Sequence, residues 1–596
     1  MRDNLKPEFI PMAPEEAGKL GWNGIDILLV TGDAYVDHPS FGAALIGRVL
    51  LDAGYKVAIV AQPSWQSPEA FTKFGRPRLG CAISSGNLDS MVNLYTAGRR
   101  LRKDDAYAPG GHPGLRPPHA AVVYAQLARA AFPGIPVVLG GLEASLRRIV
   151  HYDYWQDKLR PSILLDSKAD ILVYGMGESA AVEIFRRIEE NKSLDEIRGT
   201  ARLLGKNASA AISETFTGVS LPSYEEHLAD KDALMRSMIL LEQEMNPFCG
   251  RPLLQRHGDR AILINPPAAT SSEKEMDRVY SLPFAGRPHP SYKEEIPAFL
   301  TVRDSIPAVR GCPGGCSFCG LVAHQGKFLS CRSANSVMDS VKKLAARPGF
   351  KGTISDIGGA AGNIYGNRPK DPLKCRSCRR PSCLFPKICD NYSAEERPLI
   401  ELLRRARNTP GIKNVHINSG IRLDLAARQK ELMREIIRHH VSGHMKVAPE
   451  HLHPDVLRLM RKNNADSFYE FLETFTEESR RAGKEQYLVP LFISNFPGCS
   501  ENEMKLVDDF LSARRWSPQQ VQDFIPLPMT MAAALYYCGK TPDGTTIHVN
   551  RGLKERRPQI DVLKKKRGFR REEKSREPRH EKNMRHQKKQ DRGRHR

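Results

Sequence analysis

Short apolar runs of strand length alternate with longer amphipathic stretches over most of the chain. Ile25-Asp26-Ile27-Leu28-Leu29-Val30 reads as a buried strand, and Thr31-Gly32-Asp33 turns the chain after it. Phe41, Leu45, Ile46, Val49, Leu50 and Ala53 then recur at helical spacing. Gly54 ends that helix, and Lys56-Val57-Ala58-Ile59-Val60 is the next strand. Further strands are predicted over residues 120–123, 136–141 and 170–175. Strand, helix and strand in repetition predict an α/β domain on an open, mostly parallel sheet. Glycines and polar groups follow the strand ends at Gly32-Asp33, Gly140-Gly141-Leu142-Glu143 and Gly175-Met176-Gly177-Glu178. That crest is where open α/β sheets bind ligands. From about 181 to 255 the pattern is charged and mostly helical, as in a linker subdomain. A strand at Ala261-Ile262-Leu263-Ile264 leads onward.

A second alternation occupies residues 295 to 540, with strands predicted around 352–359, 414–422, 446–451, 487–494 and 521–528. Parallel strands separated by helices suit a partial (β/α) barrel. The predicted organisation is an N-terminal α/β domain with its helical linker over 1–255, a connecting segment over 256–294 and the barrel over 295–550. The barrel carries a cysteine-rich insertion at 370–392, and a basic, largely disordered tail covers 551–596.

The chain has 596 residues and is 40% hydrophobic, enough for several cores. No apolar run approaches the roughly 20 residues a membrane helix needs, and the N-terminus lacks an apolar signal region. No membrane contact is expected. The net charge of +22 is concentrated in the tail, where twenty Lys/Arg face seven Asp/Glu, leaving +9 for everything before Arg551. Such a tail is a solubilising appendage or an RNA contact, and charge alone does not choose.

The chemistry lies in the cysteines. Seven of the twelve fall in two tight groups, a distribution of metal sites in a reducing cytoplasm rather than of disulfides. Cys312, Cys316 and Cys319 lie in Val309-Arg310-Gly311-Cys312-Pro313-Gly314-Gly315-Cys316-Ser317-Phe318-Cys319-Gly320. Cubane clusters normally take four cysteines, so three leave one iron open. The glycines let the loop curl so that the sulfurs converge. A structural zinc loop is the alternative and needs a fourth ligand, such as His324 or Cys331. The segment resembles the cluster loop of radical S-adenosylmethionine (SAM) enzymes. There the open iron of a 4Fe–4S cluster binds the SAM amino and carboxylate groups.

Gly358 and Gly359, after Thr353-Ile354-Ser355-Asp356-Ile357, look like the element that offers bare backbone to the SAM amino group. Ser419 and Arg422 stand where they could meet ribose or carboxylate, with the Arg422 fork suited to a carboxylate. Glu450 could accept from ribose hydroxyls, and His451 could bond substrate. Rim salt bridges are the plain alternative for each. Cys375, Cys378, Cys383 and Cys389 form the second group. They read first as a structural zinc site, with an auxiliary iron–sulfur cluster or free thiols as alternatives.

Taken together, Arg310 to Cys319, His324-Gln325-Gly326, Arg332-Ser333, Asp356 to Gly359, the Cys375–Cys389 group, Ser419 to Arg422, Ala448-Pro449-Glu450-His451 and Gly483 to Pro490 resemble the YgiQ family of radical SAM proteins. The resemblance covers residues 9 to 565. It implies a radical SAM barrel that binds a 4Fe–4S cluster and SAM, takes an electron from a flavodoxin or ferredoxin, and abstracts hydrogen from an unknown substrate. Leu491 and Phe496 depart from the family's usual Tyr and His, and Ala360-Ala361-Gly362 from its Pro-Thr-Ala. The N-terminal domain looks like a cobalamin-binding-type domain, but the Asp-x-His-x-x-Gly cobalt loop is absent. Asp37-His38-Pro39-Ser40-Phe41-Gly42 misses its register by one residue, so a scaffold or substrate-recognition role is expected. The rival readings are a methylthiotransferase-like RNA modifier, and a nucleic-acid-binding protein with a structural cluster. The first is disfavoured because only Cys81 and Cys249 precede the loop.

Overall fold

A computed structural model describes residues 7–567. Nine strands form the N-terminal sheet: β1 (Ile27–Thr31), β2 (Val57–Ala61), β3 (Gly80–Ser84), β4 (Val137–Gly140), β5 (Ile171–Val173), β6 (Thr200–Leu204), β7 (Val219–Leu221), β8 (Leu253–His257) and β9 (Arg260–Ile264). Their spatial order is β7-β8-β9-β6-β5-β4-β3-β1-β2. β2, β1, β3, β4 and β5 run parallel, while β6, β9 and β8 pair antiparallel. All five residues of β1 are buried, as a strand covered on both faces requires. Helices α1 (Gly42–Asp52), α2 (Ala120–Ala131) and α3 (Glu178–Glu189) cover the parallel half.

Three sequence expectations are corrected here. Residues 120–123 open helix α2; Tyr124, Ala125 and Ala128 bury one face at helical spacing. The strand missed was β3, whose Gly80-Cys81-Ala82 are too small to look like a strand core. The stretch from 181 to 255 contributes three strands as well as helices, and the sheet runs on to Ile264.

The second half is an arc of parallel strands. β10 (Ser305–Pro307) pairs with β14 (Asp356–Gly358), and β13 (Thr353–Ile354) with β15 (Asn414–Val415). A bridge from Ile421 to Val447 continues the arc to β16 (His444–Glu450), then β17 (Tyr487–Ser494) and β18 (Gln522–Asp523). An antiparallel ribbon, β11 (Val309–Arg310) with β12 (Ser330–Cys331), brackets the cysteine loop and the short helix α4 (Gly320–Gln325). One hydrophobic cluster, from Ile10 to Leu563, joins the two halves.

The tail expectation is corrected for its first part. α5 (Leu553–Lys564) lies on the barrel, with Arg556 donating to Phe524 O at 2.5 Å and Gln559 Nε2 to Cys499 O at 2.8 Å. Buried polar side chains hold this helix, so an apolar count does not find it. The rest of the disordered-tail expectation lies outside the described residues. No helix among the described residues is long and apolar enough to cross a membrane.

Candidate active site at the barrel mouth

β11 delivers the chain into the Cys312–Cys319 loop, and the loop is tied down along its length. Cys312 N–H donates to Gly326 O at 3.1 Å, and Gly311 N–H to Gln325 Oε1 at 3.0 Å. Ser317 N–H donates to Met460 O at 3.1 Å and Ser317 Oγ to Leu459 O at 2.7 Å. The three thiols lie within electrostatic reach of one another. Burial pushes the Cys319 thiol up to about 12 and raises that of Cys312. Arg422 Nη1 lies 3.3 Å from Cys316 Sγ and supplies positive charge to the loop.

Among the described residues, no three His, Cys, Asp or Glu side chains are gathered as a single metal ion requires. A cubane makes a different demand, because each of its cysteines ligates a different iron. The donor set such a cluster would use is three thiols on one anchored loop, with a guanidinium beside them.

Gly358 and Gly359 end β14, with Gly359 against β11, the strand that enters that loop. A Cβ at Gly359 would lie 2.2 Å from Val309 O, so only glycine allows this approach. Ser419 joins them: its hydroxyl donates to Asp356 Oδ2 at 2.5 Å and to Gly359 O at 3.3 Å. Asp356 also accepts from the N–H groups of Asn418 and Ser419 at 2.9 and 3.2 Å. Burial raises its pKa against those bonds. In sequence Asp356 stands out only as part of a motif; an acid set among apolar residues just before a glycine pair is the available signal.

The two fork nitrogens of Arg422 are both on Asp424, leaving Nη1 facing the cysteine loop. Glu450 is buried in the left-handed region, with φ +67. Such strain in a non-glycine residue gathers at functional sites. Its Oε2 has no hydrogen-bond partner, and its nearest cation is Lys462 Nζ at 4.0 Å. Burial pushes the Glu450 carboxyl up, and its charge is felt at Cys319. His451 turns inward, with Nδ1 accepting from His453 N at 3.0 Å and Nε2 3.4 Å from Cys499 Sγ. Phe496 packs edge-on to Phe318 of the cysteine loop, with ring centres 6.2 Å apart.

The sheet crest closes over this mouth. Glu178, at the start of α3, forms a buried ion pair with Arg310, whose Nε also donates to Tyr280 OH at 2.9 Å. A His324 ring nitrogen on α4 meets Ser145 Oγ at 2.9 Å. Between the halves lies a cavity of about 680 Å³, with Gly358, Gly359 and Leu321 on one wall and Gly86, Gly141 and Met176 on the other. Asp37 is paired with Arg48 and accepts from Ala285 N at 2.9 Å, and His38 Nδ1 accepts from Ser40 N at 3.1 Å.

A family model described as Radical SAM N-terminal matches residues 9–305. With the cysteine loop and the parallel arc, this makes the chain a radical-SAM-superfamily protein. It is 47% identical over 559 residues to a UPF0313 protein of Geobacter sulfurreducens, covering 93% of this chain and 92% of that one. It is 44% identical over 576 residues to one from Bradyrhizobium diazoefficiens, covering 92% and 86%. The chain belongs to the UPF0313 family. Among solved structures, the radical SAM methyltransferase TsrM from Kitasatospora setae is 15% identical with a TM-score of 0.46, covering 84% of this chain and 73% of that one. The cobalamin-dependent SAM radical enzyme OxsB is 10% identical with a TM-score of 0.47, covering 88% and 56%.

Proposed function

We propose that this protein is a radical SAM enzyme of the YgiQ type, in which Cys312, Cys316 and Cys319 hold a 4Fe–4S cluster and SAM binds beside it. That cofactor pair, given one electron by a flavodoxin- or ferredoxin-class donor, supplies hydrogen-atom abstraction. The chain's part is to bind, orient and exclude. Gly358 and Gly359 offer open backbone to the SAM amino group, with Ser419 and Asp356 holding that strand end in shape. The unpartnered Glu450 carboxylate oxygen is free to accept from SAM hydroxyls or its ammonium group. Arg422 balances sulfur charge at Cys316, a different part from the carboxylate clamp expected of it. The substrate would sit in the roughly 680 Å³ cavity between the barrel and the sheet crest.

The observation carrying this reading is the packing of the paired-glycine strand end against the strand that enters the anchored three-thiol loop, where a Cβ at Gly359 would lie 2.2 Å from Val309 O. A methylthiotransferase-like reading has no such support. Cys81 is in the middle of the N-terminal sheet and fully buried, so no cluster could use it. The test is anaerobic reconstitution with iron and sulfide, then dithionite and SAM, with 5′-deoxyadenosine quantified. Wild type should form the nucleoside, and a Cys312→Ala, Cys316→Ala, Cys319→Ala variant should not. Failure of the reconstituted protein to bind SAM would refute the proposal.

A further inference from the structure

The four cysteines of the insertion form a built structure pressed onto the cysteine loop. Cys378 N–H donates to Cys375 O at 3.2 Å, and Cys389 N–H to Cys383 O at 2.8 Å, so each pair closes its own turn. Asn246, from the N-terminal half, donates to Cys375 O and Cys378 O, both at 2.8 Å. Asn391 Nδ2 lies 3.5 Å from Cys375 Sγ. On the opposite side, Cys383 N–H donates to Pro313 O at 2.9 Å and Ser382 Oγ to Gly314 O at 2.6 Å. Pro313 and Gly314 lie between Cys312 and Cys316, so the two groups share one framework. Gly315 makes the fit possible: its φ is +61, and a Cβ there would lie 2.5 Å from Pro381 O.

Lys327 is the second observation. Its side chain is buried, and Nζ donates to Arg380 O at 2.6 Å and approaches Cys378 O and Cys378 Sγ, both at 3.4 Å. Among the described residues it has no carboxylate within ion-pair distance. Besides these carbonyls and the thiol it has the Phe328 ring, 5.3 Å from Nζ, so this buried ammonium has no anionic counter-charge. Thiolates at the four cysteines would supply it. A cavity of about 40 Å³ has Lys327, Cys378, Cys316 and Cys319 among its lining residues.

Zinc would draw four sulfurs to about 2.3 Å from one point, whereas a cubane places each sulfur on its own iron. Two separately closed turns carry the four cysteines, one tied to Asn246 and the other to the cysteine loop.

We propose that Cys375, Cys378, Cys383 and Cys389 hold a second iron–sulfur cluster, ligated by thiolates alone and neutralised in part by Lys327, directly beside the Cys312–Cys319 loop. Assembly removes one proton from each thiol and forms one iron–sulfur bond in its place. The proposal does not depend on the assignment of the first loop. The full chain, its Cys312→Ala, Cys316→Ala, Cys319→Ala variant and a Cys378→Ala, Cys383→Ala variant would be reconstituted anaerobically. Iron, acid-labile sulfide and zinc per chain would then be measured, with electron paramagnetic resonance after dithionite.

The triple variant should keep about half of the wild-type iron and sulfide and a reducible cluster signal, and the double variant the other half. Iron absent from the triple variant would overturn the second cluster and leave the first standing. Iron undiminished in the triple variant would refute the first site instead. Zinc in wild type that disappears in the double variant would also overturn the proposal. Should the double variant not fold, Lys327→Met in the triple-variant background decides. Losing the cation should lower the retained cluster's midpoint potential, and an unchanged potential would overturn the pairing.

Discussion

Glu178 and Arg310 join the sheet crest to the strand that enters the cysteine loop, and each side chain is only 9% exposed. Glu178→Ala would leave the Arg310 guanidinium buried with Tyr280 alone, its hydroxyl at 2.9 Å and its ring centre at 5.0 Å. Breaking a buried pair from one side costs about 3–5 kcal/mol. The retained Tyr280 contacts place this site at the lower end, about 3 kcal/mol. Arg310 lies two residues before Cys312, so the loss falls on the β11–β12 ribbon rather than on the whole molecule. Two amides report on that ribbon: Cys312 N–H to Gly326 O at 3.1 Å and Arg332 N–H to Ala308 O at 2.9 Å. With about 1.4 kcal/mol per tenfold, their hydrogen exchange should quicken about 100-fold in Glu178→Ala. Glu178→Leu with Arg310→Met replaces both charges by apolar groups of similar length and should restore most of the protection. Exchange measured by mass spectrometry on the metal-free protein checks this. Less than about fivefold acceleration in the single variant would refute the reasoning, as would a double variant exchanging as fast as the single one.

Glu450→Gln should act in two directions. Its burial raises the carboxyl's pKa, so the folded state holds this proton more tightly than the unfolded chain does. The stability it contributes is complete below the ordinary carboxylate range and lost as pH rises through the raised value. The glutamine variant should therefore be more stable at neutral pH, with a flatter pH profile by urea titration, yet bind SAM about tenfold more weakly by equilibrium dialysis. Gly359→Ala should abolish SAM binding, because its Cβ meets Val309 O. Gly358→Ala, 3.0 Å from Ser419 Oγ, should only weaken binding in the same assay. Ending the chain after Arg567 should leave the melting temperature unchanged and would show, by RNA titration, whether the basic residues beyond it bind RNA. Ending it before Arg551 should cost about 3 kcal/mol or more, since it strips the Arg556–Asp523 pair from the barrel.

What could be read from the chain, and what could not, divides along a physical line. β1, β2, β4 and β5 carry dense Val, Ile and Leu between turn residues, and a period of two or of continuous burial marks them locally. The cysteine loop was legible for the same reason: ligand spacing is a local constraint, written within eight residues. β3 was not, because its Gly80, Cys81 and Ala82 are small for a long-range reason. A Cβ at Gly80 would meet Pro136 O at 2.8 Å, a contact made only once the neighbouring strand is in place. α5 was hidden because Arg556 and Gln559 are buried by partners some 30 to 60 positions away. Among the site residues, Gly358 and Gly359 could be placed from a strand ending in glycines. Arg422 was legible in position but not in partner, since Asp424 two residues on takes both arms of its fork. Glu450 illustrates the limit most sharply. Nothing in Ala448-Pro449-Glu450-His451 distinguishes a rim ion pair from a carboxylate with φ +67 and one oxygen left bare. That difference arises from burial by the assembled barrel, and a bare acid in such a place is destabilising unless something binds it. The same burial that makes Glu450 unreadable in sequence is thus the reason to expect a ligand there.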